Sequence, residues 1–412
     1  MSEEKLVPKL RFSGFTDEWV SYKIGDISKT YSGGTPSTSK REYYEGNIPF
    51  IKSGEIGNEV TEQYINEEAI NNSSAKKVQK GDLLLALYGA TSGEVAISKI
   101  DGAINQAVLK IDNKMNNYFQ YNYFVKYKDQ IIHKYLQGGQ GNLSANIIKK
   151  LEFYYPNLEE QQKISNYLLL IDNKIELLEK KHHEYQNFKK YLMQQIFAQK
   201  LRFADSDSCW KEISLKDIGT FYRGHSYNST NVADEGLLVL RSNNIQGNVL
   251  DFSEDGLQFV DKDCKKELEL QKNDIVICMS NGTRRLVGKS AEYTGNYENK
   301  VTVGAFCSIF RTKNKLAKYL FQTESYKKNL YLILAGTNIN NLKNSDLEKF
   351  KFNIPTNESE INKIHDLFVS IDNKIDYNKK QFEEITLFKK GLLQQMFVVQ
   401  LILSLLQNKK HI

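Results

Sequence analysis

Long apolar runs are missing from this 412-residue chain. No stretch approaches the roughly 18 to 20 residues that a spanning helix needs, so a soluble protein without a membrane partner is expected. The opening segment MSEEKLVPK is charged and lacks an apolar signal core, which points to the cytoplasm. Cysteine is scarce: Cys209, Cys264, Cys278 and Cys307 all fall in the second half, with no CxxC or metal-ligand spacing. Free thiols in a reducing compartment are expected rather than a disulfide framework. The six histidines, at 133, 182, 183, 225, 365 and 411, give no metal spacing and no base beside a nucleophile, so no metal site is expected. Nor does one charge sign dominate, because 56 basic and 50 acidic residues leave a net charge of +6 with no basic tail. Such a balance permits a polyanion partner without demanding one.

Catalytic motifs are lacking too. GTRRLVGKS at 282–290 resembles a phosphate-binding loop, but five residues rather than four separate its first glycine from Gly-Lys-Ser. The following AEYTGNYEN lacks the pattern of a helix whose N-terminus would hold a phosphate. NIPF at 47–50 departs from the NPPF tetrapeptide of adenine methyltransferases at Ile48, and no glycine-rich cofactor fingerprint accompanies it. Nothing here reads as an enzyme acting by itself.

What the chain does contain is a copy of itself. IDNKI at 171–175 recurs at 371–375, FKK at 188–190 recurs at 388–390, and Gln194, Gln195 and Phe197 recur as Gln394, Gln395 and Phe397. LRF at 10–12 returns at 201–203, and Trp19, Asp26 and Ile27 return as Trp210, Asp217 and Ile218. The offset grows from 191 to 200, which places about nine extra residues in the second variable part. Between these landmarks only hints survive: Lys52 and Ser53 against Arg241 and Ser242, and QKGD at 79–82 against QKND at 271–274. The expected organisation is a variable unit at 1–157, a long helix at 158–197, a second variable unit at 198–356, a second long helix at 357–397, and an apolar tail at 398–412.

Each repeated segment opens with a helix start signal, Asn157 with Glu160 and Asn357 with Glu360, which predicts a capping box. Apolar residues then step by four and three through Ile164, Leu168, Ile171, Ile175 and Leu178, and through Ile364, Phe368, Ile371, Ile375 and Phe382. That is a coiled-coil seam. His182 and Lys189 interrupt the first stripe, Asn378 and Lys389 the second; such residues either fix register or mark a frayed seam. The cheapest partner for either stripe is the other copy laid against it in the opposite sense. The expected fold is therefore α+β, with two variable units joined by two long helices in an antiparallel coiled coil and a pseudo-twofold internal repeat.

In the variable units, DLLLALYG at 82–89 and DIVICMSNG at 274–282 read as buried strands entering loops. Aromatic-rich helical stretches at 118–135 and 318–334 follow, expected to be core, and each leads into a loop rich in Gly and Asn. Asn and Gln can bond adenine bidentately, and Arg or Lys the O6 and N7 of guanine. Candidate readers of base edges are Lys52, Tyr88, Gln137, Gln140 and Asn142 in the first unit. In the second they are Arg241, Asn243, Asn244, Arg284, Arg285, Asn338 and Asn340. Loops are also polar simply because they face water.

PKLRFSGFTDEW followed by KIGDI, the EQQKI at 160–164 and the paired IDNKI helices resemble the landmarks of the specificity subunits of type I restriction-modification systems, over about residues 6–397. The resemblance implies two target recognition domains, each reading one half of a bipartite asymmetric sequence in double-stranded DNA. It implies helices that set the gap between the halves and dock two methyltransferase (modification) subunits, with restriction/translocase subunits in the full complex. The chain would carry no cofactor; S-adenosylmethionine, ATP and Mg would sit on the partner subunits. Family members end near the QQ-x-F element, whereas this chain continues with VVQLILSLLQNKKHI. Competing readings are a P-loop-type enzyme, and a coiled-coil scaffold or other DNA-binding adaptor without sequence reading.

Overall fold

The computed structural model describes residues 7–136, 142–204, 209–336 and 340–398. It divides into two compact units, Met1–Lys180 with Lys379–Ile412, and Lys181–Asn378. Each unit thus takes a variable part, half of one long helix and half of the other.

In the first unit the landmark elements are the strands β1 (Ile48–Ile51), β2 (Leu83–Ala86), β3 (Gly102–Ile104) and β4 (Val108–Asn113), the helix α1 (Asn117–Leu136) and the start of the 40-residue helix α2 (Leu158–Phe197). Two four-stranded sheets result. One runs Ser28–Ser32, β4, β2, Val95–Ile97 and is antiparallel; the other runs Tyr64–Ile65, β1, β3, Lys76–Val78, with β1 and β3 parallel. In the second unit, β5 (Leu237–Leu240), β6 (Ile275–Cys278), β7 (Val301–Val303) and β8 (Cys307–Thr312) repeat this plan. The order Gly219–Arg223, β8, β6, Ser290–Glu292 is antiparallel, and Val232–Ala233, Phe259–Val260, β5, β7 has β5 and β7 parallel. The helices α3 (Glu324–Ala335) and α4 (Glu358–Met396) complete the chain.

The strands β2 and β6 are apolar at every position because both faces are buried. Leu83 and Leu85 join one apolar cluster while Leu84 and Ala86 join another, and Ile275 and Ile277 part from Val276 and Cys278 in the same way. Successive side chains point to opposite faces, so a strand covered on both sides reads as a continuous apolar run. Each strand is entered through the QKGD or QKND turn. Asp82 accepts from the Gln79 amide and Asp274 from the Gln271 amide, while Gly81 and Asn273 both adopt positive φ, at 95° and 74°. Gly and Asn interchange here because these residues tolerate the left-handed region. All four cysteines are free thiols.

The aromatic stretch of the first unit is one helix whose Phe119, Tyr123, Phe124 and Tyr127 are buried in the core. Its counterpart departs from the expected single helix. It breaks after Ala317–Leu320, and Thr323 starts α3 by accepting from the Tyr326 amide.

At about 1.5 Å per residue, α2 and α4 each run roughly 60 Å. Within the first unit, Ile164, Leu168 and Ile171 of α2 bury against Leu392, Leu393 and Met396 of α4, with Ile175 partly buried beside them. Within the second, Ile364, Phe368 and Ile371 bury against Leu192, Met193 and Ile196, with Ile375 beside them. Leu178 is buried and Phe382 half-buried. Two of the polar interruptions do not fray the seam. Lys389 pairs with Asp172 at 2.6 Å in the first unit, and Lys189 with Asp372 at 2.6 Å in the second. Asp172 also accepts from the Tyr118 hydroxyl, and Asp372 from Tyr319 at 3.2 Å, so both IDNKI carboxylates tie the helices to their own unit.

Candidate nucleic-acid interface

Two kinds of surface emerge in each unit, a joint built from repeated residues and loop tips built from divergent ones. At the first joint Arg11 of LRF forks onto the buried Glu160 carboxylate with two bonds of 2.7 Å. At the second, Arg202 forks onto Glu360 at 3.1 and 3.0 Å, and Trp210 adds an indole N–H bond at 3.2 Å. Asn157 caps the Glu160 amide and Asn357 accepts from the Ser359 amide, so each arginine fork lands at a helix start. Trp19 and Phe119 surround Phe397 in the first unit, and Trp210 and Phe368 surround Phe197 in the second. Lys126 donates to the Phe397 carbonyl, and burial lowers its ammonium pKa to about 8.

The loop tips lie where the strands end. β1 runs into Lys52, whose amide bonds Glu55 across the one-turn helix Ser53–Glu55; β5 runs into Arg241, whose amide bonds Asn244 across Ser242–Asn244. Lys52 and Arg241 are thus structural equivalents. Beside each, the chain passes a glycine that the neighbouring strand presses closely. A Cβ on Gly33 would lie 1.9 Å from the Ile104 carbonyl oxygen, and one on Gly224 2.1 Å from that of Gly304.

In the first unit, the Asn105 amide bonds the Ile51 carbonyl, placing Asn105 and Gln106 beside Lys52. The turn Gly89–Thr91 after Tyr88 packs on Ser53–Glu55, and the Leu143 amide bonds the Leu87 carbonyl, so Tyr88 and the exposed Asn142 share this edge. Lys52 itself faces Glu62 at 3.8 Å. Gln137 and Gln140, and Asn338 in the second unit, lie outside the described residues, as does the tail beyond Val398.

In the second unit the tips enclose a cavity of about 570 Å³ lined by His225, Tyr227, Arg241, Asn243, Asn281 and Phe306 among others. Asn281 of the loop after β6 donates to the Ser242 hydroxyl at 3.0 Å, joining two of its walls. Four expected readers make bonds within the unit. Asn244 is buried, and its amide donates to the Gly256 and Asp251 carbonyls, so it holds its turn rather than facing outward. Arg284 donates to the Leu334 carbonyl at 2.6 Å and to Asn340, whose own amide donates to the Gly282 carbonyl; this pair locks the loop to the end of α3. Asn243 also donates to the Gly256 carbonyl, at 3.3 Å, but it stays exposed, as does Arg285.

Sequence reasoning missed His225, Tyr227, Asn281 and Phe306. They come from three separate segments, gathered by the parallel pairing of β5 with β7, the bridge between His225 and Gly304 and the bond from Asn281 to Ser242. His225 is buried, and burial followed by the charge of Lys262 pulls its imidazole below the usual range, favouring the neutral ring. The Gly-Lys-Ser of 288–290 leads into the strand Ser290–Glu292 rather than a helix, and Lys289 bonds the Ile245 carbonyl, which removes the phosphate-loop reading. The NIPF segment is the core strand β1.

The doubled fold has a counterpart among known proteins. The family described as the type I restriction modification DNA specificity domain matches residues 16–186 and again 207–387. The chain belongs to this family. The MjaVIII specificity subunit of a type I restriction enzyme from Methanocaldococcus jannaschii is 23% identical over 403 residues, covering 92% of this chain and 91% of that one. The EcoKI specificity subunit of Escherichia coli K12 is 29% identical over 185 residues, 43% of this chain and 39% of its own length. Among solved structures, the type I restriction-modification S subunit of M. genitalium aligns with a TM-score of 0.63 at 17% identity, covering 95% of this chain and 99% of that one. A chain from a study of complex assembly and conformational transition of the type I R-M system aligns at 0.51 with 15% identity, covering 92% and 97%. Among the described residues no helix is long and apolar enough to cross a membrane.

Proposed function

We propose that this specificity-family chain selects DNA for a type I restriction-modification complex, each unit reading one half of a bipartite asymmetric duplex target. One observation carries this reading: the residues repeated between the units converge on the joints with the helices, while the equivalent loop tips differ. Two equivalent joints suit two copies of one partner, and two unlike tips suit two unlike half-sites. In this reading Lys52, Tyr88 and Asn142 with Gln137 and Gln140 serve the first half-site. Arg241, Asn243 and Arg285, with Asn338, serve the second. The long helices set the gap and dock two methyltransferase subunits, for which exposed apolar side chains such as Leu170, Leu177, Tyr377 and Leu387 offer contact area. S-adenosylmethionine, ATP and Mg belong to the modification and restriction/translocase subunits.

The test exchanges residues 1–157 for the corresponding unit of another family member and maps the methylated motif in the host genome. One half of the motif should change, with the other half and the gap retained. Loss of both halves would overturn independent reading, and an unchanged motif would leave the chain a scaffold.

A further inference from the structure

Four of the eight arginines meet a partner elsewhere in the chain. Arg11, Arg202 and Arg311 find the carboxylates of Glu160, Glu360 and Asp274, and Arg284 finds a backbone carbonyl. Arg241 differs. Its backbone amide is anchored by Asn244, yet its Nε is buried without a hydrogen-bond partner among the described residues, and its guanidinium faces no carboxylate there. A buried donor left unsatisfied is destabilising, so its persistence marks a place where something else completes the bond.

The surroundings specify what that is. Arg241 lines the cavity of about 570 Å³, and its stem passes over Gly304, where a built Cβ would lie 3.8 Å from the arginine Cγ. A second unpartnered atom, Nε2 of His225, belongs to a side chain only 7% exposed that lines the same cavity. At the rim stands Phe306, 70% exposed, an aromatic with no packing reason to face water. Here a planar fork sits recessed beside a neutral imidazole and an exposed ring, which suits the flat edge of a base pair.

Resting on the DNA-reading function above, we propose that Arg241 is the specificity-determining residue of the second unit and fixes one guanine of its half-site through O6 and N7. The guanidinium fork matches those two acceptors of the major-groove edge. The equivalent position in the first unit holds Lys52, a point charge facing Glu62, so the first unit reads its half-site by other contacts.

The experiment uses the assembled methyltransferase complex, with wild-type chain and with Arg241→Ala and Arg241→Lys. Binding is measured by competition against duplexes carrying the mapped motif, with each guanine of the second half-site replaced in turn by 7-deazaguanine, which lacks the N7 acceptor. Wild type should lose roughly 5-fold to 150-fold at one guanine, and R241A should be indifferent to that replacement while discriminating normally at every other position. Arg241→Lys guards against a folding defect, since it keeps the charge and stem but loses the fork and should weaken the same position alone. Three results would overturn the proposal: a second half-site without a G·C pair, R241A still sensitive to every replacement, or R241A uniformly weaker with a salt slope lower by about 0.9, the mark of a phosphate contact. If wild type shows no sequence preference at all, the function proposed above fails with it, which none of those three results implies.

Discussion

Glu160 has a fully buried carboxylate that meets Arg11 through two bonds of 2.7 Å. Removing one member of a buried ion pair strands the other charge in a poorly solvated place, at a cost of about 3–5 kcal/mol. Arg11→Ala should therefore destabilise the chain by that order in urea unfolding. Arg202→Ala should cost less, because Glu360 keeps its bond from the Trp210 indole and Arg202 is itself more exposed. Equal losses at the two sites would contradict this account. The sequence marked both arginines as repeated landmarks without saying what they do, because the glutamates they meet are 149 and 158 residues away. The same distance problem governs the candidate readers. Arg241 and Asn243 were legible as polar loop residues after an apolar strand; Asn243 and Asn244 both bond the Gly256 carbonyl, yet only Asn244 is buried. How far an amide is drawn into its own turn depends on the carbonyl at 251, which Asn244 alone of the two reaches and which no local pattern reveals.

Among the elements, the long helices were the most legible, since a sustained step of four and three is local information. Their polar interruptions were not. Lys189 and Lys389 looked like breaks in an apolar seam, yet each meets an aspartate of the opposite IDNKI motif and lies over a tyrosine ring of its own unit. A double-mutant cycle on Asp172→Asn and Lys389→Met should give a coupling energy of about 0.5–3 kcal/mol. Additive losses would mean that the pair is incidental. The strands show the reverse case. β2 and β6 were expected from their apolar runs, whereas the short pieces around them, such as Tyr64–Ile65 and Phe259–Val260, carry too few residues for a period to register. They become strands because a longer neighbour supplies the pairing edge.

For the whole molecule, the proposed reading makes the two helices of 40 and 39 residues the measure of the gap between half-sites. One heptad inserted at matching positions in both adds about 10 Å of helix, close to three base pairs of DNA. The methylated motif should then keep both halves and gain a gap longer by about that amount; an unchanged gap would dismiss the helices as its ruler. Duplication, the two long helices and membership of the family could be read from sequence alone, because a repeat is a match of residue strings wherever its copies lie, and helical periodicity is carried by near neighbours along the chain. How each helix is halved between compact units, which glutamate answers which arginine, and which four segments enclose the cavity around Arg241 were settled only by tertiary structure. Those contacts join residues separated by tens to hundreds of positions, and burial rather than residue type decides whether a polar group there supports the fold or remains available to a ligand.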